Sequence, residues 1–321
     1  MSLTSAAAPS EEDLEAADAL ERDDRVPGRP EMTAFRQRLR LHQSRWRESH
    51  GHPIGTQPIV PKPGKPSRPL GSRLPVDYAQ ETGANFLTPA AVEAARARVT
   101  MKVPRQSFDR QRWWADLLWS SSLAVNLFAD LAADLSRADR AVHTWWPDVP
   151  GRVSAVRFTH SPGWLDPAFL NSLREFDALF ELDLGDGTLG VIGVDVKYHE
   201  WTKPEIPKPE NLERYLQVAK RSRAFRRGAV DSVKGRSGLA VTWLEHLLML
   251  SMLQHPSKRW RWGRYVVVHP SGNADYAEAI ERYRTLLADD STFAAIKLEE
   301  LLSADALRRK TVKLLRERYV A

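Results

Sequence analysis

Asp195-Val196-Lys197 closes an apolar run, 189–198 (LGVIGVDVKY), that has the composition of a β-strand. Alternate residues of a strand share a face, so Asp195 and Lys197 point one way while Val194, Val196 and Tyr198 point the other. A preceding run, 174–183 (REFDALFELD), sets Glu175, Asp177 and Glu181 on one face, interleaved with Phe176, Ala178, Phe180 and Leu182. Gly185-Asp186-Gly187 between the two runs is a hairpin signal. Burying the apolar face of both strands leaves two aspartates and a lysine facing one another across the pair. Such a cluster in a sheet interior is costly unless a metal or substrate uses it. The chemistry that wants this trio is hydrolysis of a phosphodiester. Two carboxylates and a backbone carbonyl are hard oxygen ligands suited to Mg²⁺, which lowers the pKa of a bound water and neutralises charge building on phosphorus. Beside such an ion, Lys197 orients the water or stabilises the transition state as a point charge.

Other residues are candidates for accessory roles, each with a plainer alternative. His199 falls on the Asp195/Lys197 face, where it touches a phosphate or moves a proton, or is simply an exposed strand-end histidine. Glu200 has the opposite phase and is read as a structural pair. Glu175 shares the face of Asp177 and is either part of the site or solvated; Glu181 lies too far along the strand. His160 and Ser161, in the HSPG turn at 160–163, line the cleft or the surface near it. A basic helix over 209–228 carries Arg214, Lys220, Arg221, Arg223, Arg226 and Arg227, with Lys208 just ahead and only Glu210 and Glu213 to balance them. Asn211 and Tyr215 stand four apart there, on one helical face. The stretch 258–264 (KRWRWGR) interleaves Lys258, Arg259 and Arg261 with tryptophans. Such a stretch neutralises phosphates and stacks bases, unless the tryptophans anchor core and the arginines stay wet. SSSLAVNLF (120–128) lacks the G-x-S-x-G setting of a serine nucleophile, and its small residues suit close helix–sheet packing. No G-x-x-x-x-G-K-[ST] phosphate loop is present.

The elements that must position these groups follow from composition and periodicity. The chain has 321 residues, 42% hydrophobic and 27% charged, with 47 Lys plus Arg against 41 Asp plus Glu and a net charge of +6. That is ordinary for a soluble globular protein and long enough for a proper core. The absence of cysteine excludes disulfides, thiolate zinc sites and a cysteine nucleophile. The most apolar stretch, 239–253, is interrupted by Glu245 and His246, so no membrane span is expected. Residues 1–24 hold eight carboxylates against Arg22 alone, and residues 1–29 read as a disordered acidic tail. Without residues 1–24 the body carries a net charge of +13. Residues 30–108 read as a helical, Pro-rich extension: a basic amphipathic helix over 30–50, an extended segment over 51–76 and a helix from Pro89 to about Val99. The remainder, 109–321, reads as one α/β domain. It has a helix over 109–136, strands at 153–159, 174–183 and 189–198, the basic helix, and an apolar helix at 239–255. A strand at 264–268, a helix at 273–288, a strand near 293–298 and a helix from Ser303 close it.

On these residues, Asp177 followed by Asp195-Val196-Lys197 within FDALFEL…GVIGVDVKYHE, the sequence resembles the PD-(D/E)XK nuclease superfamily, in an uncharacterised bacterial branch. The likeness extends from about Phe35 through SSSLAVNLF and HSPG to the C-terminal strand. It implies a restriction-endonuclease-like core, a mixed central sheet flanked by helices. It also implies Asp177, Asp195 and Lys197 as catalytic residues, with Asp177, Asp195 and the Val196 carbonyl holding Mg²⁺, for which Mn²⁺ substitutes. Asp195 stands where relatives usually have Glu, and Thr159-His160 where an acid often precedes the SPG turn. Where many members take an acid from the first core helix, this chain offers Asn126 and Asp130. Asn211 and Tyr215 faintly resemble the Gln–x3–Tyr pair of the recombination-nuclease branch. The resemblance implies a cytoplasmic endonuclease acting on DNA, in restriction, anti-phage defence or repair, as a homodimer or with partner proteins of a defence system. The alternative is a catalytically silent nucleic-acid-binding or scaffold protein that keeps the fold.

Overall fold

The structure, a computed structural model, describes residues 7–58, 67–101, 103 and 108–320. The N-terminal part comprises helices α1 (Glu11–Ala16) and α2 (Pro30–Ser49), two-residue strands β1 (Gly55–Thr56) and β2 (Pro69–Leu70), and helices α3 (Val76–Thr82) and α4 (Pro89–Thr100). Helices α5 (Arg110–Ala115), α6 (Ser120–Ala132) and α7 (Leu135–Trp145) lead into strands β3 (Arg152–His160), β4 (Phe176–Asp183) and β5 (Leu189–Val196). Then come α8 (Leu212–Ser222), α9 (Ala240–Leu253), β6 (Trp260–His269), α10 (Ala274–Thr285), β7 (Phe293–Lys297), α11 (Leu298–Ser303) and α12 (Arg309–Tyr319).

Strands β3 to β7 form one sheet in that spatial order, antiparallel from β3 to β5 and parallel from β5 to β7. The mixed sheet flanked by helices expected from the sequence is therefore present. Ala178, Phe180, Leu182, Ile192, Val194 and Val196 face a layer contributed by α2, α6, α7, α11 and α12. Leu179, Val191, Tyr265 and Val267 face the opposite layer, α8 to α10. Both faces are thus covered. Gly185 and Gly187 take φ of +83° and +81° in the hairpin, a conformation that costs other residues dearly.

Two expectations are corrected. The acidic segment within 1–29 is not a loose tail among its described residues. Leu14 and Ala19 pack with Leu41 of α2, and Asp24 is wholly buried against Arg40. Its carboxylates are counter-charges of arginines in the basic helix α2. The helix expected over 109–136 is broken in three. Asp109 caps α5 through the Arg112 N–H, as its type favours. Asp116 then accepts from the Leu118 N–H, and the backbone of 115–117 bonds Ser72 and Leu74, which pulls the chain out of helix before Ser120. The centre of the Pro-rich segment, residues 59–66, lies outside the described residues; its flanks meet as β1 and β2.

Candidate active site

The β4–β5 ladder ends at Ala178 opposite Val194, and its register continued by one residue sets Asp177 directly opposite Asp195. Like charges in that position oppose pairing, and here the side chains take over the ladder's hydrogen bonds. The Val196 N–H donates to Asp177 Oδ2 at 2.9 Å, and the Asp177 N–H reaches Asp195 Oδ1 at 3.4 Å. Ser121, in the first turn of α6, donates to Asp177 Oδ1 at 2.6 Å, and Tyr265 of β6 donates to Asp195 Oδ2 at 2.9 Å. Lys197 Nζ lies 3.4 Å from Asp195 Oδ2. Asp195 is buried, while Asp177 and Lys197 keep partial exposure. Burial, then the facing Asp195 charge, pushes the Asp177 carboxyl up. Burial alone would pull the Lys197 ammonium down, but Asp195, Tyr276 and Asp177 more than offset it and hold it above the usual lysine range. These neighbours favour the cationic form of Lys197.

A cleft of about 320 Å³ opens ahead of β4, lined by residues that include Arg174, Glu175, Glu205, Lys208, Tyr215 and Glu245 but not by Asp177, Asp195 or Lys197. Glu175 lines the cleft and accepts from the Trp164 indole N–H at 3.3 Å. His160 ends β3 with its ring against Trp164, and burial, then Arg157, lowers it to about 4. Asn211 and Tyr215 do meet, at 3.4 Å, and Asn211 also ties down the Asn171 carbonyl.

Several candidates lie elsewhere. The strand stops at Val196, so alternation does not extend to His199, which turns away and rests 2.9 Å from Asp24. Asn126 is a structural bridge: it donates to the Asn85 carbonyl and the Tyr319 hydroxyl and accepts from the Leu87 N–H. Arg214 is spent on the carbonyls of Phe169 and Ala168, both at 2.6 Å. Lys258, Arg259 and Arg261 precede or open β6, which runs parallel to β5 with Trp260 beside Leu189. That puts them at the far end of the sheet, about 20 Å from Asp195 at strand rise. Arg259 there pairs with Glu181 at 3.6 Å. Arg223, Arg226 and Arg227 flank Phe225, which bridges to Leu287 just beyond α10. The other end of α10, where Asn273 bonds the carbonyls of Lys197 and Glu200, is about 18 Å away. Of the basic candidates, Lys208 borders the cleft.

A family model for the PD-(D/E)XK nuclease superfamily matches residues 25–321, nearly the whole chain. The chain belongs to the PD-(D/E)XK nuclease superfamily. No curated protein and no solved structure matches it. The sheet and helices described above are its restriction-endonuclease-like fold, and membership points to nuclease chemistry, for which superfamily members typically use divalent metals. Among the described residues no helix is long and apolar enough to cross a membrane.

Whether this PD-(D/E)XK site suits a divalent ion can be judged from its own atoms. Among the described residues no three His, Asp or Glu side chains converge into a ready cage. Yet Asp177 and Asp195 oppose each other, with Lys197 Nζ 3.4 Å from Asp195. A third carboxylate, Glu245 of α9, is buried and has one oxygen, Oε2, without a hydrogen-bond partner. Burial, then Asp195, pushes its carboxyl up to about 8. An excess of buried carboxylate oxygen is what a hard cation neutralises, so the donor set fits one. The sequence reading missed Glu245, Arg174, Ser121 and Tyr265. Glu245 did leave a signal, since an acid in a helix apolar all round is seldom buried without a task.

Proposed function

We propose that this protein is a divalent-metal-dependent phosphodiesterase that cleaves DNA. The observation that carries the reading is the facing pair Asp177 and Asp195 with the Lys197 ammonium 3.4 Å from Asp195. Asp177, Asp195 and the Val196 carbonyl would hold Mg²⁺, with Mn²⁺ able to substitute; the ion supplies an activated water and charge neutralisation at phosphorus. Lys197, kept protonated, donates to a phosphate oxygen or to the attacking water and offsets negative charge in the transition state. Ser121 and Tyr265 fix the rotamers of the two aspartates, so the carboxylates need no reorganisation when substrate arrives. The water oxygen bonds to phosphorus and gives up its proton to solvent, the bond from phosphorus to the leaving oxygen breaks, and that oxygen takes a proton from solvent. Lys208 beside the cleft and the exposed Lys220 and Arg221 on α8 support a polyanionic substrate.

The test is incubation of the full chain with plasmid DNA, linear DNA and RNA of matched length, with Mg²⁺, Mn²⁺ or EDTA. Cleavage of DNA that needs the ion and is absent in EDTA is the expected result. Binding without cleavage under every condition would favour a silent nucleic-acid-binding protein, and preferential cutting of RNA would overturn the substrate assignment.

A further inference from the structure

We infer that a second cavity, walled by α2, the segment after β2 and the α5–α6 turn, binds a dianionic phosphate group through Arg73 and Arg36. The cavity holds about 310 Å³, within the size range of small-ligand sites. Its walls include Arg36, Arg40, Arg73, Arg112, Leu118 and His199. The first observation is Arg73. It is 4% exposed, yet its guanidinium donates to no acceptor among the described residues, and its Nε is buried. Asp116 Oδ2 lies 3.9 Å from Nη1, beyond hydrogen-bond reach. The second observation is Arg36. Its Nη1 donates to the Asp23 carbonyl and its Nη2 meets His199 Nδ1 at 3.4 Å, but Nε is buried with no acceptor among the described residues. A buried charged donor without an acceptor is costly. Two of them on the wall of one cavity call for an anion inside it.

The acids that line the same cavity do not meet this need. Glu21 accepts from Gln57 and Arg68, and Asp116 accepts from Arg112 Nε and the Leu118 N–H. Asp109 caps α5, and Asp23 is exposed, offering Arg36 its carbonyl and not its carboxylate. Arg40 is matched by Asp24 through Nε and Nη2. What stays unmatched in the interior is the pair Arg36 and Arg73. Burial pulls both guanidiniums below the usual arginine range, and an anion between them would reverse that. Two unmatched cations ask for a dianion, which a phosphate supplies and a single carboxylate does not. The planar fork of arginine also fits two oxygens of a phosphate at once.

The experiment is calorimetric titration of the full-length chain, without divalent ions, at a mildly alkaline pH where phosphate is a dianion. The titrants are sodium phosphate, deoxyadenosine 5′-monophosphate and deoxyadenosine. Wild type is compared with Arg73→Gln, Arg36→Gln and, as an exposed arginine of α10, Arg284→Gln, each checked for its fold by circular dichroism. Wild type is expected to bind both phosphates and not the bare nucleoside. Arg73→Gln should weaken phosphate binding by about tenfold or more, Arg36→Gln should weaken it less, and Arg284→Gln should leave it unchanged. Arg36→Gln keeps the test open should Arg73→Gln fail to fold. Tighter binding of the nucleotide than of free phosphate would identify a phosphomonoester as the ligand, and equal or weaker binding would identify inorganic phosphate; both support the site. Wild-type affinity in a folded Arg73→Gln or in Arg36→Gln would overturn the inference, as would an equal loss in Arg284→Gln. So would equal binding of deoxyadenosine and its monophosphate, or no phosphate binding by wild type. With no metal or nucleic acid present, none of these outcomes bears on the metal-dependent reading above.

Discussion

Replacing Asp24 with Asn separates a folded acidic segment from a loose one. Asp24 is wholly buried and accepts two hydrogen bonds from Arg40, 2.6 Å from Nε and 2.8 Å from Nη2, with His199 2.9 Å away and Arg36 at 3.9 Å. Asparagine keeps the shape and part of the bonding but leaves the Arg40 guanidinium buried without its counter-charge. Losing one partner of a buried ion pair costs about 3–5 kcal/mol, and we take about 3 because Ser72 still accepts from Arg40. For a chain of this length, at roughly 2 cal/mol/K of unfolding entropy per residue, that lowers Tm by about 4–5 °C. The pH dependence has a definite sign. Burial alone would raise the Asp24 carboxyl, but Arg40 and His199 hold it well below the ordinary carboxylate value of 3.8. Its stabilisation is therefore complete above that value and is lost as pH falls below it. Thermal melts followed by circular dichroism at pH 7 and in steps down to pH 3 check this. The gap between wild type and Asp24→Asn should be full at pH 5–7 and shrink below about pH 4. Equal melting temperatures at pH 7 would refute the claim that this segment is part of the folded body.

Three further outcomes follow from the site and its supports. Asp177→Asn, measured in EDTA, should be more stable than wild type at pH 8 and lose that advantage toward pH 5, because the wild-type carboxyl is raised and its ionisation is resisted by burial and Asp195; a destabilised variant at pH 8 would count against the facing pair. Gly193→Ala should cost about 1–3 kcal/mol in a urea melt, since a methyl there comes 2.5 Å from the Phe176 ring; an unchanged midpoint would contradict the close approach. Arg214→Ala should lower stability by about 1–3 kcal/mol through the two carbonyls it leaves without donors. It should not change the salt dependence of DNA binding, whereas a slope reduced by about one unit would show a phosphate contact.

The hairpin that carries the candidate site was legible because strand alternation, a Gly-Asp-Gly turn and an Asp-x-Lys spacing are all local. What stayed hidden was set by topology. Ser121 lies 56 positions before Asp177 and reaches it only because α6 packs where it does, and Glu245, 50 positions after Asp195, is brought to the cleft by α9. His199 failed as a candidate because alternation was carried three residues beyond the strand's end at Val196. The bases at 258–261 follow the site in sequence, but the parallel pairing of β5 and β6 sends them to the opposite end of the sheet. Charge was misread for a related reason: arginines of α2 and carboxylates of the N-terminal segment were weighed separately, although Arg40 and Asp24 neutralise each other in the interior.

The central claim, that Asp195 and Lys197 serve hydrolysis, is tested most directly by single-turnover cleavage of a labelled DNA duplex in Mg²⁺. Wild type is compared with Lys197→Ala and Asp195→Asn at equal folded concentration. The account predicts rate constants lower by about 10²–10³ for both variants, the range seen when one preorganised electrostatic group is removed. Cleavage by either variant at the wild-type rate would contradict it.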